Sequence, residues 1–185
     1  MSEFTIHTTE SVPERSRDAL VDLERNVGFI PNLAATIAES PTALQGFVAM
    51  QSSLRGTSVL TAVEREVVGI TVSYANSCPY SMAAHSTFAG AAGASPEVLA
   101  ALRSGTELPN ARLQALHAFT DRLLNSKGHI SEDELAAFLE AGYSRENALE
   151  VITQLAFTTL ANLAANVAAT PVDPAFEAQA WITAG

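Results

Sequence analysis

The chain has 185 residues, of which 48% are hydrophobic but only 6% aromatic, and 20 acidic against 10 basic residues give a formal net charge of −10. That length suits one compact domain with a sizeable core, and small aliphatic side chains favour helices packed at close range. The acidic balance, with no basic cluster to offset it, excludes nucleic acid and an anionic membrane surface as expected partners.

The first eleven residues, MSEFTIHTTES, lack the basic start and apolar run of a signal peptide. The single cysteine, Cys78, permits no internal disulfide. Both features fit a cytoplasmic chain. Pro13 sits well in a first helical turn, and a helix from there carries Leu20, Leu23 and Val27 before Gly28 ends it. Helices are predicted over about 32–39 and 42–55, broken at Ser40-Pro41. Thr61 with Glu64 is a capping-box pair opening a helix to about Asn76. Another helix begins at Ser77–Pro79 and runs to about Gly90. Further helices are predicted from Pro96 to about Ser104, then over 110–126, 131–140 and 144–169. Ser131 with Glu134 repeats the capping box, and Ser144 is a fitting cap for the last helix. Pro171 and Pro174 close it. The apolar stretch 151–172 is interrupted by Thr153, Thr158, Thr159, Asn162 and Asn166, so it reads as a buried helix and not a membrane span. No segment alternates as a strand does, and no linker divides the chain. The fold class is therefore all-α, a single domain over 1–185. A faint echo of 63–85 in 147–169 rests on Glu66 and Glu150, each early in an apolar helix.

Residues 76–86, NSCPYSMAAHS, hold the chemistry-bearing cluster. Pro79 in a first turn puts Cys78 at or next to the N-cap, where free N–H groups and the helix dipole favour a thiolate. Ser81 lies one turn on and His85 four residues beyond it, so the three can line one edge of a helix. Serine in a first turn ordinarily bonds backbone N–H groups. On the preceding helix, Glu66 sits among Val67, Val68, Ile70 and Val72, whereas Glu64 and Arg65 are easier to solvate. A carboxylate turned toward the core needs a partner, and a histidine on the adjacent helix supplies one suited to proton transfer. Tyr74 and Tyr80 are candidates to line the pocket. Ser81, His85 and Glu66 also have the residue types of a hydrolase triad, but there is no G-x-S-x-G elbow. His7, His117 and His129 lack ligand spacing, so no metal is expected, and no nucleotide-cofactor motif is present.

The segment LTAVEREVVGITVSYANSCPYSMAAHSTFAG, with E-x11-C-x-x-S-x-x-x-H, resembles the carboxymuconolactone decarboxylase and AhpD-like alkylhydroperoxidase family. Upstream GFIPNLAATIAESPTALQGFVAM and downstream ANLAANVAATPVDPAF resemble its peroxidase-related branch, so the likeness spans about 25–175. The resemblance implies an AhpD-like helical bundle assembled as a homo-oligomer, a trimer or hexamer. In the redox members the motif reads C-x-x-C; the second cysteine attacks the hydroperoxide, the first resolves it as a disulfide, and the glutamate and histidine move protons. Glu66, Cys78 and His85 match those positions, and Ser81 stands where the attacking cysteine belongs. A serine hydroxyl neither ionises near neutrality nor passes through a sulfenic acid, so the two-cysteine cycle is closed to this chain. Three readings follow, of which the first leads and the other two are alternatives. Thiol-dependent reduction of an organic hydroperoxide could run on Cys78 with an external thiol reductant. Acid–base chemistry on a small lactone or acid could run on His85 and Glu66 without cysteine, though Arg65, the nearest arginine in sequence, points outward in that reading. Last, the scaffold could bind an apolar ligand without catalysis.

Overall fold

A computed structural model of the chain describes residues 3–182. The helices are α1 Glu14–Val27, α2 Asn32–Ile37, α3 Pro41–Thr57, α4 Ala62–Ala75, α5 Pro79–Ala91, α6 Pro96–Ser104, α7 Ala111–Ser126, α8 Glu132–Glu140 and α9 Arg145–Ala168. A 3₁₀ turn, Pro174–Gln179, follows. Among the described residues there is no strand, and the all-α expectation holds.

Local chemistry explains the boundaries. Ser40, Thr61, Ser95, Asn110, Ser131 and Ser144 each accept a backbone N–H from inside the helix they open. Full capping boxes form at Thr61–Glu64 and Ser131–Glu134, and a third pairs Ser144 with Asn147. Gly28 and Gly105 end α1 and α6 in the left-handed conformation that glycine adopts without strain. The last helix stops at Ala168, because Ala169 turns left-handed two residues before Pro171.

Helix α4 is the centre of the molecule and packs against α5, α6, α7 and α9. Its run Val67 to Ser73 is buried all round, as an apolar helix inside a bundle must be. Full burial of Val67, Val68, Ile70 and Val72 contributes roughly 1.5–3 kcal/mol each. Helix α5 lies between two apolar clusters. It gives Tyr80, Ala83 and Ala84 to one, with α1, α2, α3 and α9, and Met82 and Ala89 to the other, with α4, α6, α7 and α8.

Helix α9 is long and apolar enough to cross a membrane by length and composition, yet it packs here as a core helix against α2, α3, α4, α5 and α7. Its interrupting asparagines have structural work. Asn162 bonds both Asn76 and Ser73, and Asn166 donates to the Asn76 carbonyl, so α9 pins the α4–α5 turn. The echo between 63–85 and 147–169 has no structural counterpart: the first span is two helices and the second is one.

Candidate active site

The turn that α9 pins sets the register of α4 against α5. Ser77 takes a left-handed conformation, Cys78 becomes the N-cap, and Pro79 opens α5. Glu66 and Gly69 are three residues apart on α4 and share a face. His85 of α5 lies on that face. Its Nδ1 is 2.6 Å from Glu66 Oε2. A carboxylate partner assigns the proton to Nδ1, which donates, and leaves the Nε2 lone pair unshared. The imidazole sits directly over Gly69, where a side chain would overlap it. Phe88 meets the ring edge-on at 6.4 Å between centroids.

His85 opens into a cavity of about 190 Å³ enclosed by α1, α2, α3, α5, α9 and the 3₁₀ turn. The walls are mostly apolar: Phe47 packs on Phe157 and Phe88 on Phe176, with Leu23, Val27 and Leu33 between. From α5 the lining comes from Ser81, Ala84, His85 and Phe88, the i, i+3, i+4, i+7 stripe of a helix. Ser81 is only 2% exposed and makes no side-chain hydrogen bond among the described residues, so the expected bond to backbone N–H groups is not formed. Its hydroxyl is left for whatever enters.

Cys78 does not share that lining. It is the N-cap, with the extended backbone of a cap (φ −102°, ψ 99°), so its side chain leaves the helical stripe. The residue is 0% exposed and belongs to the first apolar cluster. The expectation of one edge carrying Cys78, Ser81 and His85 is therefore corrected to Ser81 and His85 alone.

Three other expectations change. Glu64 is not solvated but 3% exposed: the capping box draws its carboxylate over the start of α4, where Arg112 of α7 meets it at 3.1 Å. Arg112 in turn stacks over the Tyr143 ring. Tyr80 lines the cavity, but Tyr74 packs on Trp181 away from it. Arg65 turns back to donate to the Leu60 carbonyl. The arginine on the cavity is Arg55, which no motif in the sequence marks.

One wall is held by a buried carboxylate. Asp173 accepts the Tyr80 hydroxyl at 2.6 Å and the Asn32 N–H at 3.0 Å, while Leu33 N donates to the same Tyr80 oxygen. Burial, together with the adjacent Asp173 charge, pushes the Tyr80 phenol well above its ordinary range, so it stays a neutral donor. Away from the cavity, burial lowers the His117 pKa, and its Nδ1 lies 2.8 Å from the Thr71 hydroxyl. Among the described residues no group of three or more His, Cys, Asp or Glu is arranged to hold a metal.

The match to the carboxymuconolactone decarboxylase family model covers residues 41–121, from the start of α3 to late in α7 and including Glu66, Ser81 and His85. Over those residues the chain is similar to that family. Solved structures share its fold over nearly the whole length. A peroxidase-related protein of Ralstonia eutropha, named as an alkylhydroperoxidase AhpD core, is 24% identical, with 95% of this chain and 94% of that one covered and a TM-score of 0.84. A peroxidase-related protein of a Silicibacter species is 20% identical, with 96% and 93% covered and a TM-score of 0.79. A variant of the debrominase Bmp8, solved with 2,3,4-tribromopyrrole, is 18% identical, with 97% of each chain covered and a TM-score of 0.75. A comparison with curated proteins gives no match.

Proposed function

We propose that this protein is an acid–base enzyme that moves a proton on a small, largely apolar organic molecule. The observation that carries the reading is the 2.6 Å bond from His85 to Glu66 at the wall of an apolar cavity that the only cysteine does not reach. In this reading His85 Nε2 takes a proton from a C–H bond beside a carbonyl. The electron pair stays on the substrate as an enolate, whose oxygen accepts the Ser81 hydroxyl. Glu66 holds the ring in the right tautomer and faces the charge it acquires. The proton returns from Nε2 at the same or a neighbouring carbon, so nothing is oxidised or reduced. Serine is the fitting residue here: a donor in place of a nucleophile.

The test is hydrogen–deuterium exchange at carbon, followed by NMR in D2O over a set of small lactones, ketones and carboxylic acids. Exchange catalysed by the wild type should vanish in His85→Gln and persist in Cys78→Ala. Exchange that survives His85→Gln sinks the proposal.

One observation favours a thiol peroxidase as the second reading: Cys78 is the N-cap of α5, where free N–H groups support a thiolate. An opening motion would have to bring a hydroperoxide to it. Hydroperoxide consumption with a dithiol reductant separates the two. Turnover by the wild type restores the thiol reading; turnover only in Ser81→Cys identifies a peroxide scaffold that serine silences.

Assembly as a homo-oligomer belongs with either reading. Leu149, Ile152, Leu163 and Val167 lie exposed along α9, an apolar strip that a second copy would cover. Sedimentation as a monomer would count against it.

A further inference from the structure

Among the described residues, Arg55 is the only arginine or lysine that lines the cavity. Among the described residues it makes no ion pair and no hydrogen bond, in a protein whose acidic residues outnumber its basic ones two to one. Most of the other arginines are engaged: Arg17, Arg25, Arg65, Arg103, Arg112 and Arg122 each hold a carboxylate or a carbonyl. Beside Arg55 on the lining stand the amides of Asn26 and Gln51, which make no side-chain hydrogen bonds either. The same three side chains also line the adjoining cleft between α1 and α3, which places them at the junction of the two cavities. Nearby Asp22, on that cleft, is already paired with Arg25 at 3.0 Å.

We infer that the cavity takes an organic monoanion: one carboxylate held by Arg55, Asn26 and Gln51, and an apolar body packed on the phenylalanines. The charge balance sets the headgroup. A single unpaired guanidinium in an otherwise uncharged rim matches one acidic group, and its fork of N–H donors fits a carboxylate. The apolar walls set the body. A dry cavity of about 150 Å³ holds a benzene molecule, so one of about 190 Å³ takes a phenyl ring or a branched chain with a short tether. This inference rests on the proton-transfer reading only for placing the substrate carbon near His85; binding itself needs neither His85 nor Cys78.

Isothermal titration with 3-phenylpropanoate and its neutral counterpart 3-phenylpropanamide tests it. The wild type should bind the acid more tightly than the amide. Arg55→Gln should weaken the acid on the order of tenfold to a hundredfold and leave the amide unchanged. Arg55→Lys, which keeps the charge but not the fork, should recover part of the loss. His85→Gln should still bind the acid, so a failure of proton exchange is read apart from a failure of binding. The proposal is overturned if the wild type binds neither probe, or if Arg55→Gln binds the acid as the wild type does.

Discussion

Gly69 and His85 occupy one space. A methyl group on Gly69 would lie 2.7 Å from both Nδ1 and Cε1 of the imidazole. Moving the ring into the cavity would break its bond to Glu66 and its contact with Phe88. Mid-helix, Gly→Ala ordinarily stabilises by about 1 kcal/mol. Here overlap dominates, so Gly69→Ala should cost about 1–3 kcal/mol net and abolish His85-dependent exchange. Thermal unfolding and imidazole NMR read the two effects separately. A more stable variant with an unmoved ring would contradict this contact.

The Glu66–His85 bond makes the pair act as a unit. His85→Gln should lower the exchange rate on the order of 10²–10⁴-fold. Glu66→Gln should lower it less, by freeing the ring to take the wrong tautomer. Because the residues touch, their effects should not add. The double variant should be no slower than His85→Gln alone; an additive loss would mean that the two work independently.

Glu150 ties α9 to the segment that enters α4. It accepts the Val59 and Leu60 N–H groups and the Ser58 hydroxyl. Burial raises its pKa, but those three donors and Arg65 outweigh it and hold the carboxyl below its ordinary value. A depressed folded-state pKa gives stability that is present above the unfolded value, about 4.3, and lost as pH falls through the folded one. Glu150→Gln should cost about 1 kcal/mol at neutral pH. The gap between wild type and variant should close in urea titrations below about pH 4. A gap that widens on acidification would reverse the assignment.

Tyr80→Phe removes the donor from buried Asp173 and the acceptor from Leu33 N. The carboxylate loses a partner while keeping only the Asn32 N–H. The expected cost is about 1–3 kcal/mol in stability. Asp173→Asn with Tyr80→Phe should recover part of it, because the uncompensated charge is gone. Denaturant melts of the single and double variants check this; equal costs for both would separate the two groups.

Much of the helical plan was legible in the sequence, because capping pairs such as Thr61–Glu64 and Ser131–Glu134 declare helix starts within four residues. The Glu66–His85 pairing was legible for a related reason: a short turn joins their helices, so register follows from local spacing. What stayed hidden came from distant segments. Arg55, Asn26 and Gln51 reach the cavity only because α1 and α3 pack beside α5 and α9. The burial of Glu64 is hidden in the same way, because its second partner, Arg112, lies on α7. Cys78 leaves the line of Ser81 and His85 because a cap residue does not follow the helical stripe of the residues after it.

That last detail turns the lone thiol into a clock. Cys78 has no exposed surface in the folded state, so a thiol reagent can reach it only when the start of α5 lets go. With a fast reagent in excess, labelling then runs at the rate of opening. With a slow one it reports the fraction of molecules already open. The sulfur becomes a built-in gauge of how firmly Asn162 and Asn166 keep the α4–α5 turn shut, and Asn162→Ala should make it tick faster.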